Sequence, residues 1–76
     1  MSNIKQILAK RLKECRKDLK MTQMQVSIQC DISERAYQNY ELMLREPKLE
    51  ILLRIADCYK VSIDYLVGRT DIKNIS

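Results

Sequence analysis

One glycine, Gly68, and one proline, Pro47, are all that punctuate a chain of 76 residues. These two residue types break helices and build tight hairpin turns, so their scarcity favours an all-α fold. β-branched runs, which would argue for strands, are absent as well. The length allows one domain, in which about 60% of the unfolded surface becomes hidden, so the core is thin. Apolar residues make up 46% and charged residues 32%, the balance of a globular domain rather than a disordered one.

Apolar spacing divides the chain into five helices. Ile4, Ile7, Leu8, Leu12, Cys15 and Leu19 recur at three- and four-residue steps, predicting an amphipathic helix over 4–19. Thr22-Gln23-Met24-Gln25 fits a capping box that opens a second helix running through Cys30. Asp31-Ile32-Ser33 reads as a tight turn, with Ser33 capping a third helix to about Leu42. Pro47 marks the next boundary, and Leu49, Leu52, Leu53, Ala56 and Tyr59 make a fourth helix. Ser62 caps a fifth, Ile63 to Val67, which Gly68 ends. The domain is therefore expected over 4–68, with 69–76 a tail of partial order at best.

Two short helices joined by a turn of three or four residues, the second one capped and polar outside, form a helix-turn-helix pattern. Ser27 falls where those helices cross, where a small side chain permits close approach. Asp31 stands in the turn, where the backbone is left-handed and Asp is tolerated. Ile32, Tyr37 and Tyr40 are expected to fill the core beneath the third helix, with Ala36 on the same side.

From about Leu8 to Thr70 the chain resembles the Cro and phage-repressor type of regulator, the Xre family. The likeness rests on Arg11-Leu12, Arg16, Thr22-Gln23, Ile32-Ser33, Tyr40-Glu41, Arg45-Glu46-Pro47, Leu49-Glu50, Ile55-Ala56-Asp57 and the close Val61-Ser62-Ile63-Asp64-Tyr65-Leu66-Val67-Gly68-Arg69-Thr70. The resemblance implies a compact five-helix, phage-repressor-like DNA-binding domain. It also implies a cytoplasmic, homodimeric transcriptional regulator, of repressor type, on a near-palindromic double-stranded operator.

Projected at about 100° per residue, the third helix turns Glu34, Arg35, Gln38, Asn39 and Leu42 away from the core. Arg35 suits a bidentate bond to guanine, Asn39 or Gln38 one to adenine, and Glu34 an acceptor role toward cytosine N4. Gln23 opens the second helix, where free N–H groups and the dipole favour a phosphate, and the resemblance implies the same contact. Ser33, Arg45, Lys48, Arg16 and Arg11 are further candidates for the DNA backbone. The resemblance also implies an internal salt bridge between Arg16 and Glu41.

The chain departs from the family pattern at Lys20, Asp31 and Met43, where glycine is common among relatives. The larger departure is Leu42-Met43-Leu44, which replaces a polar turn that contacts the DNA backbone in the family. These three residues either extend the third helix by about a turn, burying Leu44, or present an apolar patch. The charge is uneven too: residues 1–20 carry seven basic and two acidic side chains, residues 21–47 two and four, and residues 48–76 five and four. An alternative reading follows, a protein-interaction module of antitoxin or anti-repressor type that keeps the fold with weak or no DNA binding.

Other classes are disfavoured. There is no histidine, no glycine-rich loop and too little chain to enclose a substrate, so an enzyme is not expected. Cys15, Cys30 and Cys58 share no metal-binding spacing and read as reduced thiols; no metal, cofactor or small-molecule ligand is implied. No signal peptide or membrane span is legible, and no second, ligand-sensing domain lies within these residues. For a dimer contact the candidates are Ile63, Leu66, Val67, Ile72 and Ile75, unless Ile63 and Leu66 belong to the core.

Overall fold

The structure, a computed structural model, describes residues 3–73. Among them are five helices and no strand: α1 (Ile4–Asp18), α2 (Gln23–Cys30), α3 (Glu34–Glu41), α4 (Leu49–Tyr59) and α5 (Ile63–Leu66). The all-α, five-helix fold expected from the sequence is the one observed. Ile75 lies outside the described residues.

The start of each of three helices is set by a side chain. The Thr22 hydroxyl accepts from Gln25 N at 3.1 Å while Thr22 N donates to Gln25 Oε1 at 2.8 Å, a complete capping box. Ser33 Oγ accepts from Ala36 N at 3.0 Å, and Ser62 Oγ from Tyr65 N at 2.9 Å. Each satisfies an otherwise unpaired helical N–H and is worth about 1 kcal/mol.

The helix ends follow one rule. After each helix one residue takes positive φ: Lys20 (57°), Asp31 (58°), Met43 (64°), Lys60 (57°) and Gly68 (87°). The next N–H then reaches back five residues, from Met21 to the Arg16 carbonyl, Ile32 to Ser27, Leu44 to Asn39, Val61 to Ala56 and Arg69 to Asp64. This is the Schellman closure, and it pairs carbonyls that the helix leaves open. Four of the five pivots carry a side chain in the left-handed region, which costs roughly 1 kcal/mol or more apiece. Gly68 is the pivot with least room beside it: a Cβ there would come within 2.9 Å of Ile7 Cδ1 on α1, and that side chain would have to shift.

The core gathers Leu8, Leu12 and Cys15 from α1, Val26 and Cys30 from α2, Tyr37 and Tyr40 from α3, and Leu52, Ile55, Ala56 and Tyr59 from α4. Val61, Tyr65 and Leu66 close it from below, with Leu66 fully buried. Leu66 therefore belongs to the core and leaves the set of dimer candidates. On α4 the inward positions are Leu52, Ile55, Ala56 and Tyr59, while Leu49 and Leu53 face solvent. At the centre the Tyr37 and Tyr59 hydroxyls share a hydrogen bond at 2.6 Å, and Tyr37 Oη also reaches the Leu12 carbonyl at 3.4 Å. The chain thus satisfies two phenols that burial would otherwise penalise. Ser27, the small residue expected at the α2–α3 crossing, is buried and donates to the Met24 carbonyl at 2.7 Å.

The segment after α5 is less free than its composition suggests. Arg11 of α1 donates to the Tyr65 and Thr70 carbonyls and to Asp71, and its guanidinium lies 4.2 Å from the centre of the Tyr65 ring. Ser62 N donates to the Lys73 carbonyl, and Lys73 Nζ meets Asp18 at 2.9 Å. The tail is thereby held against α1 as far as Lys73. Arg11, a phosphate candidate in the sequence, is an internal brace here, its side chain only 18% exposed.

Candidate nucleic-acid interface

The α2–α3 unit is built around the three-residue turn Asp31-Ile32-Ser33. Asp31 turns the chain by its positive φ, Ile32 packs against the core, and Ser33 starts α3. Arg54 of α4 reaches the Cys30 and Asp31 carbonyls at 3.5 Å each and Glu50 at 3.4 Å, bracing the turn from behind. Sequence reading passed over Arg54; its one signal was the Glu50–Arg54 spacing on a helix.

Tyr37 and Tyr40 anchor α3 by its inner face. On the outer face Arg35 is exposed, and Glu34, Gln38 and Asn39 are half-buried. A shallow cleft of about 320 Å³ runs along this face, lined by Ser33, Arg35, Ala36, Asn39, Tyr40 and Arg45. The fold therefore brings Ser33, Arg35, Asn39 and Arg45 into one surface. Glu34, Gln38, Gln23 and Lys48 lie outside that cleft. Arg45 and Lys48 are exposed, and among the described residues neither they nor Arg35 form an ion pair. α3 stops at Glu41, so Leu42, Met43 and Leu44 do not prolong it. Of the two outcomes open for this segment, the structure takes the exposed one: Leu44 is 67% accessible.

Behind this face lies a polar junction of three helices. Arg16 of α1 grips Glu41 at the end of α3 with Nε to Oε2 at 2.8 Å and a second bond at 3.1 Å, and it also donates to the Met21 carbonyl. Gln23 of α2 donates its amide to Glu41 Oε1 at 3.1 Å. The Glu41 side chain is 3% exposed and that of Arg16 14%. Burial opposes the charge on Glu41, but hydrogen bonds, the one from Arg16 foremost, outweigh it and hold its pKa below the ordinary carboxylate range. Every guanidinium nitrogen of Arg16 makes an internal bond, which is the structural role expected of it with Glu41. Gln23 is half-buried, and the bond to Glu41 uses one of the two donors of its amide nitrogen.

The thiols are dispersed: Cys15 and Cys30 are buried and Cys58 half-buried. Burial, with Cys58 close by, pushes the Cys30 thiol up to about 12. Among the described residues no three metal-ligating side chains gather, and no helix is long and apolar enough to cross a membrane.

A profile of the helix-turn-helix family matches residues 12–66, from the middle of α1 to the end of α5. The chain belongs to the Xre-type helix-turn-helix family. This helix-turn-helix protein is 37% identical over 65 residues to the HTH-type transcriptional regulator ImmR of Bacillus subtilis, a stretch covering 86% of this chain and 51% of ImmR. It is 39% identical over 62 residues to RstR, the cryptic phage CTXphi transcriptional repressor of Vibrio cholerae, covering 82% and 55% of the two chains. An uncharacterized HTH-type regulator of Bacillus subtilis, YqaE, matches at 39% over 61 residues, 80% of this chain and 53% of its own. The helix-turn-helix chain thus spans about half the length of these curated relatives. These relatives are named as HTH-type transcriptional regulators or, for RstR, a transcriptional repressor.

Proposed function

We propose that this chain is a sequence-specific double-stranded DNA-binding transcriptional regulator, acting as a repressor in the cytoplasm, that reads the major groove with α3. The observation that carries this reading is the exposed, unpaired Arg35 on a capped α3 whose opposite face is locked by Tyr37 and Tyr40. In this reading Arg35 donates two bonds to a guanine edge, Asn39 or Gln38 pairs with adenine, and Glu34 accepts from cytosine N4. Gln23, Ser33, Arg45 and Lys48 hold the DNA backbone; they set register without reading sequence. The names of ImmR and RstR, one a regulator and the other a repressor, support the same role for this chain.

A homodimer would place two α3 helices in successive major grooves about 34–36 Å apart, on a near-palindromic operator. With Leu66 in the core, Ile63, Val67 and Ile72 are the remaining described candidates for that contact; Ile72 is exposed and the other two half-buried.

The test is an in vitro selection of random double-stranded DNA on the purified protein, run at two salt concentrations with Arg35→Ala alongside. Enrichment of a near-palindrome that relaxes at one position per half-site in Arg35→Ala supports the reading, at a cost of about 1–3 kcal/mol per lost pair. Weak binding without enrichment, lost as salt rises, rejects it. A second reading, the protein-interaction module, is favoured by one observation, the exposure of Leu42, Met43 and Leu44. It requires tight partner binding with no salt-sensitive DNA affinity.

A further inference from the structure

A second concave surface lies on the other side of Glu41, between α1 and the turn that follows α3. It is a cleft of about 330 Å³ lined by Gln6, Ala9, Lys10, Lys13, Glu41 and Met43. Its chemistry is amphipathic. Ala9 and Met43 supply apolar contact, and Met43 is still 46% accessible. Glu41 contributes no free charge, because both carboxylate oxygens are taken by Arg16 and Gln23. Lys10 and Lys13 are exposed, and neither pairs with a carboxylate among the described residues. The cleft is therefore an apolar floor under an uncompensated positive rim. Leu42 and Leu44, the chain neighbours of Met43, are 61% and 67% accessible, so the turn at the cleft exposes three apolar residues in succession.

The conformation of Met43 adds an independent point. Its φ of 64° is one that a side chain adopts at a cost and glycine adopts freely. The turn nevertheless holds a long, flexible apolar side chain at its pivot, half open to water. Methionine at such a place suits adaptable contact with a partner surface.

We infer that this cleft receives an acidic, amphipathic segment of a partner protein. An apolar side chain of that segment seats on Ala9 and Met43, and its carboxylates pair with Lys10 and Lys13. Nucleic acid fits the lysines but not the strip, since a phosphate backbone offers Leu42, Met43 and Leu44 nothing apolar to bury against. A helix laid in a groove satisfies both halves of the surface, apolar anchors on the floor and charge at the rim. The inference does not depend on α3 reading DNA, and a failed operator selection leaves it standing.

The probe is a fluorescein-labelled synthetic peptide of Glu, Leu and Ala, arranged as an amphipathic helix about 15 residues long. Its control has the same composition with the leucines scattered around the helix. Binding is followed by anisotropy, and its location by amide shifts of the isotope-labelled full chain. The expected result is shifts centred on Ala9, Lys10, Lys13 and Met43. Affinity should fall about tenfold with the scattered peptide, with Met43→Gly, and with the Lys10→Ala/Lys13→Ala pair. Met43→Gly relieves the positive φ and keeps the turn, so its loss of binding is not a loss of fold; a circular dichroism melt verifies this. Equal binding of the scattered peptide, or shifts centred elsewhere, overturns the inference. So does displacement of the peptide by random-sequence duplex DNA with shifts at the same four residues, which would make the cleft a phosphate surface. Concentration-dependent shifts there without peptide would assign it to a second copy of the chain and equally overturn it.

Discussion

Glu41 is the residue through which α1, α2 and α3 are joined, because its two oxygens receive Arg16 and Gln23 together. Removing it leaves the Arg16 guanidinium, 14% exposed, without its anion. Glu41→Ala should lower stability by about 3 kcal/mol, a large share of what so small a domain possesses, as measured by urea unfolding. The pH dependence has a definite sign. The carboxyl is held below the ordinary range in the folded state, so the stabilisation is complete above that range and is lost as pH falls through the lowered value. Acid unfolding of the wild type should therefore be shallower in Glu41→Gln, which has no carboxyl to protonate. An unchanged acid transition in that variant would contradict the account. The Arg16–Glu41 pairing was accessible in the sequence through family likeness, since 25 residues separate the partners and no local pattern links them. The third member, Gln23, gave no sign of this bond in the sequence, because helix position alone does not tell which way a long amide turns.

At the level of elements, starts were more legible than ends. Thr22, Ser33 and Ser62 announce their helices because the bond each makes is to a backbone group three residues on, a local event written in neighbouring letters. Thr22→Ala should cost about 1 kcal/mol, read as a lowered urea midpoint with unchanged slope. A loss within a few tenths would mean that the Gln25 side chain sustains the helix start without its partner. Ends are another matter. Lys60 takes the same left-handed turn as Asp31, yet lysine carries no sign of it, and only the tertiary docking of Val61 on the core demands the reversal. Periodicity failed on α4 for a related reason. Leu52 and Leu53 are adjacent and equally apolar, and which faces inward depends on where α2 and α5 sit against the helix. The contacts of residues 70 and 71 with α1 were not legible because Arg11, which makes them, lies about 60 residues away in sequence.

Over the molecule as a whole, the polar face of α3, the lysine-rimmed cleft and the contacts of residues 70–73 with α1 use separate sets of residues. Fold class and helix order were legible from Gly and Pro scarcity with apolar spacing. The surfaces were less so, because a side chain's availability depends on whether a distant residue has already claimed it, as with Arg11 and Arg16. One feature of the interior also decides what light can report. The chain has four tyrosines and no tryptophan or phenylalanine, and Tyr37, Tyr40, Tyr59 and Tyr65 are all buried. Its near-ultraviolet absorption and emission therefore arise from the interior alone. Burial raises the ionisation of Tyr37 and Tyr59 well above the usual phenol range, so folding stability is retained below that range and erodes as pH climbs past it. Phenolate absorbance at these two rings should emerge together with the collapse of helical dichroism rather than ahead of it. A ligand in the lysine-rimmed cleft, by contrast, will meet a lining without a tyrosine and needs an extrinsic dye to be seen, whereas one on α3 has the edge of Tyr40 as its single native reporter.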